Sequence, residues 1–288
     1  MDVAHETDGE QRARWNGPAG RAWVDTQESL DRLFKRFEEL LVDAVSAERR
    51  SKTSDVLDVL DVGCGTGGTT LAVARRLGAK GRCVGVDISN PMITAAQARA
   101  EHEGTTVRFI CADAQVHAFE PARFDTIISR FGVMFFDDPV RAFANLRRAA
   151  KDDALLRLVV WRSATENPFM TTAERAAAPL LPNIPDRPAD GPGQFSFADP
   201  QRVAAILGAG GWADVDIQPI DVECGLPEPE LIGFITRLGP VGLALQGKDE
   251  RTRAQVIEAV RPAFDPFVHG TEVRYTAACW TISAQASG

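Results

Sequence analysis

Asp61, Gly63, Gly65, Gly68 and Asp87 are the residues whose types and spacing point most directly to chemistry. The three glycines fit G-x-G-x-x-G directly after the apolar run 56–62, and a helix-like pattern follows at Leu71, Ala72, Val73, Ala74 and Leu77. A strand that breaks sharply into a helix, with no side chains at the turn, lets a ligand touch bare backbone at the strand's carboxyl end. Asp87 ends the next apolar run, where an acid can hold ribose hydroxyls. This pattern describes a nucleotide-type cofactor pocket, and by itself it admits a nicotinamide dinucleotide. Asp61, two positions before the first glycine, points elsewhere. A dinucleotide brings a pyrophosphate to this turn, toward the positive end of the helix dipole, and a carboxylate there opposes it. A donor that carries an ammonium and a sulfonium suits the same acid.

The elements that must position these residues follow from periodicity. Strands are expected near 56–62, 82–87, 107–111, 124–130 and 154–161, with helices between them, an alternation that implies parallel strands covered on both faces. Gly63, Asp87, Asp113 and Ser129 then all fall at carboxyl ends of strands, where ligands sit in such sheets. Ahead of them, a short polar tail leads into helical spacing over 29–45, capped by Ser29. Residues 163–198 change character: a helix over 168–178 runs into Pro179, Pro182, Pro185, Pro188 and Pro192, a loop-rich insertion of the kind that forms lids. Asp199-Pro200 caps a helix over 201–207, a strand follows at 215–219, helices at 228–238 and 248–260, and a last strand at 273–282. There is no internal repeat.

Four stretches, taken in order, resemble the class I S-adenosylmethionine-dependent methyltransferases. Val59-Leu60-Asp61-Val62-Gly63-Cys64-Gly65-Thr66-Gly67 is similar to that family's first motif, and Val84-Gly85-Val86-Asp87-Ile88-Ser89 to its second. Phe109-Ile110-Cys111-Ala112-Asp113-Ala114 and Phe124-Asp125-Thr126-Ile127-Ile128-Ser129-Arg130 resemble the third motif and the fourth strand, so the match covers roughly residues 55–162. The resemblance implies an α/β fold: a Rossmann-like seven-stranded sheet, mostly parallel, its antiparallel last strand between two others, with helices on both faces and a helical lid. It implies S-adenosyl-L-methionine as cofactor, with Asp61, Gly63, Cys64, Gly65 and Thr66 around the methionine part. Asp87 and Ile88 would take the ribose, Met92, Asp113 and Ala114 the adenine, and Ser129 would end the strand that faces the methyl. The core would be 29–162 with 199–222 and 272–284, covered by an N-terminal segment 1–28 and by lid insertions 163–198 and 223–271. One element departs from the pattern: Lys151-Asp152-Asp153-Ala154 stands where the family usually turns through Pro-Gly-Gly. Asp can make such a turn with its own backbone bonds.

Methyl transfer from a sulfonium is an in-line displacement, for which alignment of donor and acceptor and exclusion of water can suffice. A base is optional, so the acceptor half carries no fixed motif. Arg130, Phe131, Met134 and Phe135, just past the fourth strand, with Phe169, Met170 and Trp161, are expected to form an apolar wall. Such a lining favours a small, mainly apolar or aromatic acceptor methylated on O, N or C, as in the ubiquinone/menaquinone-biosynthesis type that the chain resembles. Trp15 and Trp23 lie in a glycine-broken stretch that, in similar enzymes, folds over the cofactor. His117 and His269 are weak candidates for a base. Asn167-Pro168-Phe169 partly resembles an amine-methylating motif but follows the wrong strand and lacks a proline.

A formal net charge of −8 argues against a nucleic-acid partner, and the basic pairs at 49–50, 75–76 and 147–148 each end a helix pattern. Five widely spaced cysteines read as buried thiols, neither a disulfide framework nor a zinc site, and no metal-ligand cluster is apparent. Residues 1–14 lack the apolar core of a secretory signal and no apolar run is long enough for a membrane span, so a cytoplasmic protein is expected. Two other readings stay open. An NAD-dependent oxidoreductase could use the same glycine loop, although Tyr275, the sole tyrosine, lacks the Lys of a Tyr-x-x-x-Lys pair. A non-catalytic S-adenosylmethionine binder is the other.

Overall fold

The strand run 57–62 is buried at every position, which suits a central strand covered on both faces. The computed structural model describes residues 4–51, 56–184 and 191–286. Four helices lead in: α1 (Ala4–Asn16), α2 (Pro18–Asp25), α3 (Gln27–Leu33) and α4 (Lys35–Ser51). The alternating core follows as β1 (Leu57–Val62), α5 (Gly68–Leu77), β2 (Gly81–Asp87), α6 (Asn90–His102), β3 (Arg108–Cys111), β4 (Phe124–Arg130), α7 (Pro139–Ala149) and β5 (Ala150–Trp161). Then come α8 (Pro168–Ala177), α9 (Pro200–Ala209), β6 (Trp212–Pro227), α10 (Leu231–Arg237), α11 (Gly239–Ala244), α12 (Glu250–Val260), β7 (Val268–His269) and β8 (Glu272–Ala286).

The sheet order is β3-β2-β1-β4-β5-β8-β6, and β7 adds a two-residue pairing on β8. The first five strands are parallel, and β8 runs antiparallel to both β5 and β6. The expected seven-stranded order with an inserted antiparallel strand is therefore present. Side-chain caps start four helices: Asp199, as expected, and also Ser89, Asp138 and Asp249 each accept a backbone N–H of the first turn.

Several expectations are corrected. The N-terminal polar tail is helical from residue 4, in two helices that dock on the core. The helix expected over 29–45 is two helices broken at Phe34, and Ser29 caps neither: its hydroxyl donates to Glu230. The turn at 151–154 is a bulge inside one strand, where the register jumps from Phe124↔Ala150 to Thr126↔Leu155 and Asp153 takes φ +59°. The helix expected over 228–238 opens as a single 3-10 turn, and α11 was not anticipated. Pro185 and Pro188 of the proline-rich insertion lie outside the described residues. Of the five cysteines, Cys111 is exposed at the end of β3.

Strand β6 runs far past the expected 215–219, on to Pro227, and this length builds the lid, whereas β8 gains most of its extra length at its other end, over 283–286. β5 pairs with β8 only as far as Trp161↔Cys279, whereas β6 and β8 continue together to Pro227↔Glu272. A two-stranded ribbon thus projects past the carboxyl ends of the parallel strands. Phe169 of α8 stacks on Tyr275 of this ribbon at 3.9 Å, and Phe264 and Phe267 close on Phe169 edge-on at 5.1 and 5.2 Å. Among the described residues, no helix is long and apolar enough to cross a membrane.

At the centre of the sheet, the turn after β1 meets the turn after β4 backbone to backbone. A Cβ on Gly132 would lie 2.6 Å from the Val62 carbonyl oxygen and 2.7 Å from Gly63 Cα. We therefore expect Gly132→Ala to destabilise the protein by about 1–3 kcal/mol. A lower thermal midpoint would show this, and an unchanged midpoint would contradict the contact.

Candidate functional site

The glycine turn is shaped by backbone bonds before any ligand is considered. Gly63 N–H and Cys64 N–H both donate to the Val86 carbonyl, at 2.8 and 3.1 Å, tying the end of β1 to the end of β2. Asp87 is fixed in turn: its carboxylate accepts Gly65 N–H at 2.8 Å on one oxygen and Ser89 N–H at 2.9 Å on the other. Its lone-pair sites are thus only partly used. Burial pushes the Asp87 carboxyl above its ordinary range, partly offset by those backbone donors.

Above this turn lies a cavity of about 530 Å³. Of the expected cofactor residues, Gly63, Gly65, Asp87, Ile88, Met92, Asp113, Ala114, Trp15 and Trp23 line it. Gln115, which the sequence reading missed, also lines the cavity and holds Asp113: its backbone N–H donates at 2.9 Å and its side-chain amide at 3.3 Å. Trp15 and Trp23 meet edge-on at 6.1 Å, and Trp15 meets Phe135 at 5.1 Å. These rings reach the cavity because α1 is latched to the α6 N-terminus. Asn16 donates to the Ile88 carbonyl and accepts from Asn90 N–H, while the Ser89 hydroxyl donates to the Trp15 carbonyl.

Four expected cofactor residues do not line the cavity. Ser129 points back into the sheet, donating to the Val62 carbonyl at 2.7 Å and accepting Gly132 N–H. Cys64 packs with Leu71, Ile93 and Phe109 beneath the turn. Thr66 accepts from Arg99 through its carbonyl and hydroxyl. Asp61 is buried and accepts from the Thr70 hydroxyl at 2.6 Å, inside the first turn of α5. The acid thought to stand at the rim is therefore one layer below it. His117 and His269 also lie outside the cavity: His117 meets Phe119 edge-on at 4.7 Å, and His269 sits in the exposed β7–β8 hairpin.

A second acid that the sequence reading did not single out joins Asp61 at the α5 N-terminus. A Cβ on Gly68 would fall 2.6 Å from Asp31 Oδ1, so the Asp31 carboxylate rests against that first turn, while its other oxygen pairs with Arg99 at 2.8 Å. Two protein carboxylates thus face the positive helix end that a pyrophosphate would need. No pattern could have announced Asp31, because it arrives from α3, far from the motif.

The far half of the cavity is aromatic. Phe131 stacks on Trp161 at 4.8 Å with planes 16° apart, and Phe34 and Phe37 meet it edge-on. Phe131 takes φ +66°, a conformation that costs a bulky residue about 1–3 kcal/mol. Its N–H bond to the Val159 carbonyl at 2.9 Å and its ring stack hold it there. The expected acceptor residues Arg130, Phe131, Met134, Phe135, Phe169 and Met170 all line the cavity, and Phe234, Arg237 and Val241 of the lid helices close it. Among the described residues, no group of His, Cys, Asp and Glu could hold a metal ion.

Burial pushes the Asp61 carboxyl up to about 7, against the lowering effect of Thr70. Because that lies above the ordinary 3.8, the folded chain keeps a proton that the unfolded chain has released between those limits. The stability attributable to this group therefore falls as pH rises from about 4 to about 7, by up to about 4 kcal/mol. In Asp61→Asn, which keeps an acceptor for Thr70, urea unfolding of the ligand-free protein should lose this component of its pH dependence. Parallel profiles for the two proteins would contradict the assignment.

The family described as a methyltransferase domain matches residues 59–153. Nocamycin O-methyltransferase of Saccharothrix syringae is 30% identical over 192 residues, covering 62% of this chain and 67% of that protein. The ubiquinone/menaquinone biosynthesis C-methyltransferase of Idiomarina loihiensis is 24% identical over 199 residues, covering 66% of this chain and 76% of that protein. Among solved structures, the YcgJ protein of Bacillus subtilis aligns with a TM-score of 0.55 at 19% identity, over 87% of this chain and 98% of that one. That last likeness speaks to the fold.

Proposed function

The chain belongs to the class I S-adenosylmethionine-dependent methyltransferases, and from that membership we propose that its cavity binds S-adenosyl-L-methionine beside a small, mainly apolar or aromatic acceptor. The observation that carries this reading is the continuity of one cavity from the Asp87 carboxylate to the Phe131–Trp161 stack. Asp87 would take the ribose hydroxyls on its remaining lone-pair sites, and Met92, Asp113, Ala114 and Gln115 would frame the adenine. The methionine part would lie over Gly63 and Gly65. Trp15 and Trp23 would cover the donor from the latched N-terminal helices.

The donor supplies an electrophilic methyl on a sulfonium. The chain's own share is alignment and the exclusion of water by aromatic walls, which lets the acceptor attack along the breaking bond. Two relatives bear names of an O-methyltransferase and a C-methyltransferase, both with small-molecule products. The reading carried here is of that kind: transfer to a small molecule in a closed apolar chamber. The dinucleotide alternative is disfavoured by Asp31 and Asp61 at the α5 N-terminus.

Titration calorimetry with S-adenosylhomocysteine tests the proposal. We expect binding at tens of micromolar or tighter, weakened by about 1–3 kcal/mol in Asp87→Ala as charge-assisted bonds are lost. Absence of binding by the unmodified chain would reject it.

A further inference from the structure

The acceptor half of the cavity holds positive charge without a base to match it. Among the described residues, the lining contains no His, Lys, Tyr or Cys. Its carboxylates are Asp87 and Asp113 at the adenosine end and Glu174, which already has a partner. Against these stand Arg14, which lies over the Trp15 and Phe135 rings and has another partner, Arg130 on the floor and Arg237 on the lid.

Arg130 is the most unusual. Its guanidinium lies 5.7 Å from the Phe34 ring, and its sole hydrogen bond among the described residues is a long one, Nη1 to the Phe34 carbonyl at 3.4 Å. The three carboxylates in its surroundings have other partners: Asp31 pairs with Arg99, Glu38 with Lys35, and Asp61 accepts from Thr70. Burial disfavours its charge, yet arginine stays protonated in proteins. Most of its five N–H donors are therefore left for a ligand, beside the Phe131–Trp161 wall. Arg237 likewise makes no hydrogen bond or ion pair among the described residues.

A guanidinium beside a sulfonium is repulsive, and more so where water is excluded. An anion placed between them turns both interactions attractive. On the reading that this is a small-molecule methyltransferase, we propose that its acceptor is an acidic oxygen compound, an enol, acidic phenol or carboxylic acid, that binds as its anion on Arg130. The acceptor releases its proton to water on binding. An oxygen lone pair then forms the new C–O bond to the methyl carbon as the C–S pair returns to sulfur. The products are a neutral ether or ester and a neutral thioether, and Arg130 keeps its protons throughout. The absence of a base from the lining then has a reason. Product loses the ion pair that held substrate, which favours its departure.

The test uses the full chain saturated with S-adenosylhomocysteine, with 2-naphthoic acid and 2-hydroxy-1,4-naphthoquinone as anionic probes. Their methyl ester and methyl ether, and 2-naphthol, serve as neutral counterparts. We expect each anion to bind at least tenfold more tightly than its neutral counterpart at pH 8. That preference should vanish in Arg130→Gln and partly return in Arg130→Lys, with S-adenosylhomocysteine affinity within threefold of the unmodified chain in both. Equal or weaker binding of the anions, including no binding of either, overturns the inference. So does an Arg130→Gln variant that loses S-adenosylhomocysteine affinity instead, because the arginine then serves the donor's carboxylate. Failure of the unmodified chain to bind S-adenosylhomocysteine would strike the methyltransferase reading itself, a separate result.

Discussion

The site depends on how the N-terminus of α5 is neutralised. In many nucleotide-binding α/β sheets that helix end is left open to receive a phosphate. Here the chain fills the position with its own acids. Asp61 enters from β1 and accepts from Thr70, and Asp31 comes from α3 and rests against Gly68 while Arg99 balances it. The Asp31 carboxylate at this helix N-terminus favours the fold and opposes a further anion, while Asp61, whose carboxyl burial raises to about 7, occupies the turn itself. A donor with net positive charge meets no such opposition. The choice of cofactor is thus made by the same contacts that anchor α3 and α5 to the sheet.

That arrangement explains why the surrounding turns are bare. Gly63 and Gly132 meet at van der Waals contact, and Phe131 accepts an unfavourable backbone conformation to bring them together. The strain is held by the Val159 bond and by the stack on Trp161, so the aromatic wall of the acceptor chamber and the backbone of the donor turn form one unit. The lid joins through Phe169, whose ring lies on Tyr275 of the projecting β6–β8 ribbon. Sheet, turn and lid therefore share a continuous apolar core.

The sheet was legible because its strands are apolar runs closed by Gly or Asp, and the residues at their carboxyl ends had to share one rim. Gly63, Asp87, Asp113 and the stretch after Arg130 fell where the pattern placed them. Side-chain direction was not legible. Asp61 and Ser129 occupy strand positions that turn them into the sheet, toward Thr70 and the Val62 carbonyl. The N-terminal helices escaped notice because α1 is polar over most of its surface, and its place is set by a latch on residues 88–90, remote in sequence. The β6 half of the ribbon was hidden for a similar reason: residues 221–227 pair only with β8, beyond the reach of the main sheet, and lid aromatics pack on that β8 segment. His117 and His269 drew attention by residue type alone, and the fold puts both outside the cavity.

A crystal structure of the chain grown with S-adenosylhomocysteine and NAD⁺ in equal excess tests the central claim most directly. The account predicts adenosine in the cavity with its ribose hydroxyls on Asp87, the homocysteine chain over Gly63 and Gly65, and no phosphate near Asp31. A diphosphate seated at the first turn of α5, with those acids swung aside, would contradict it.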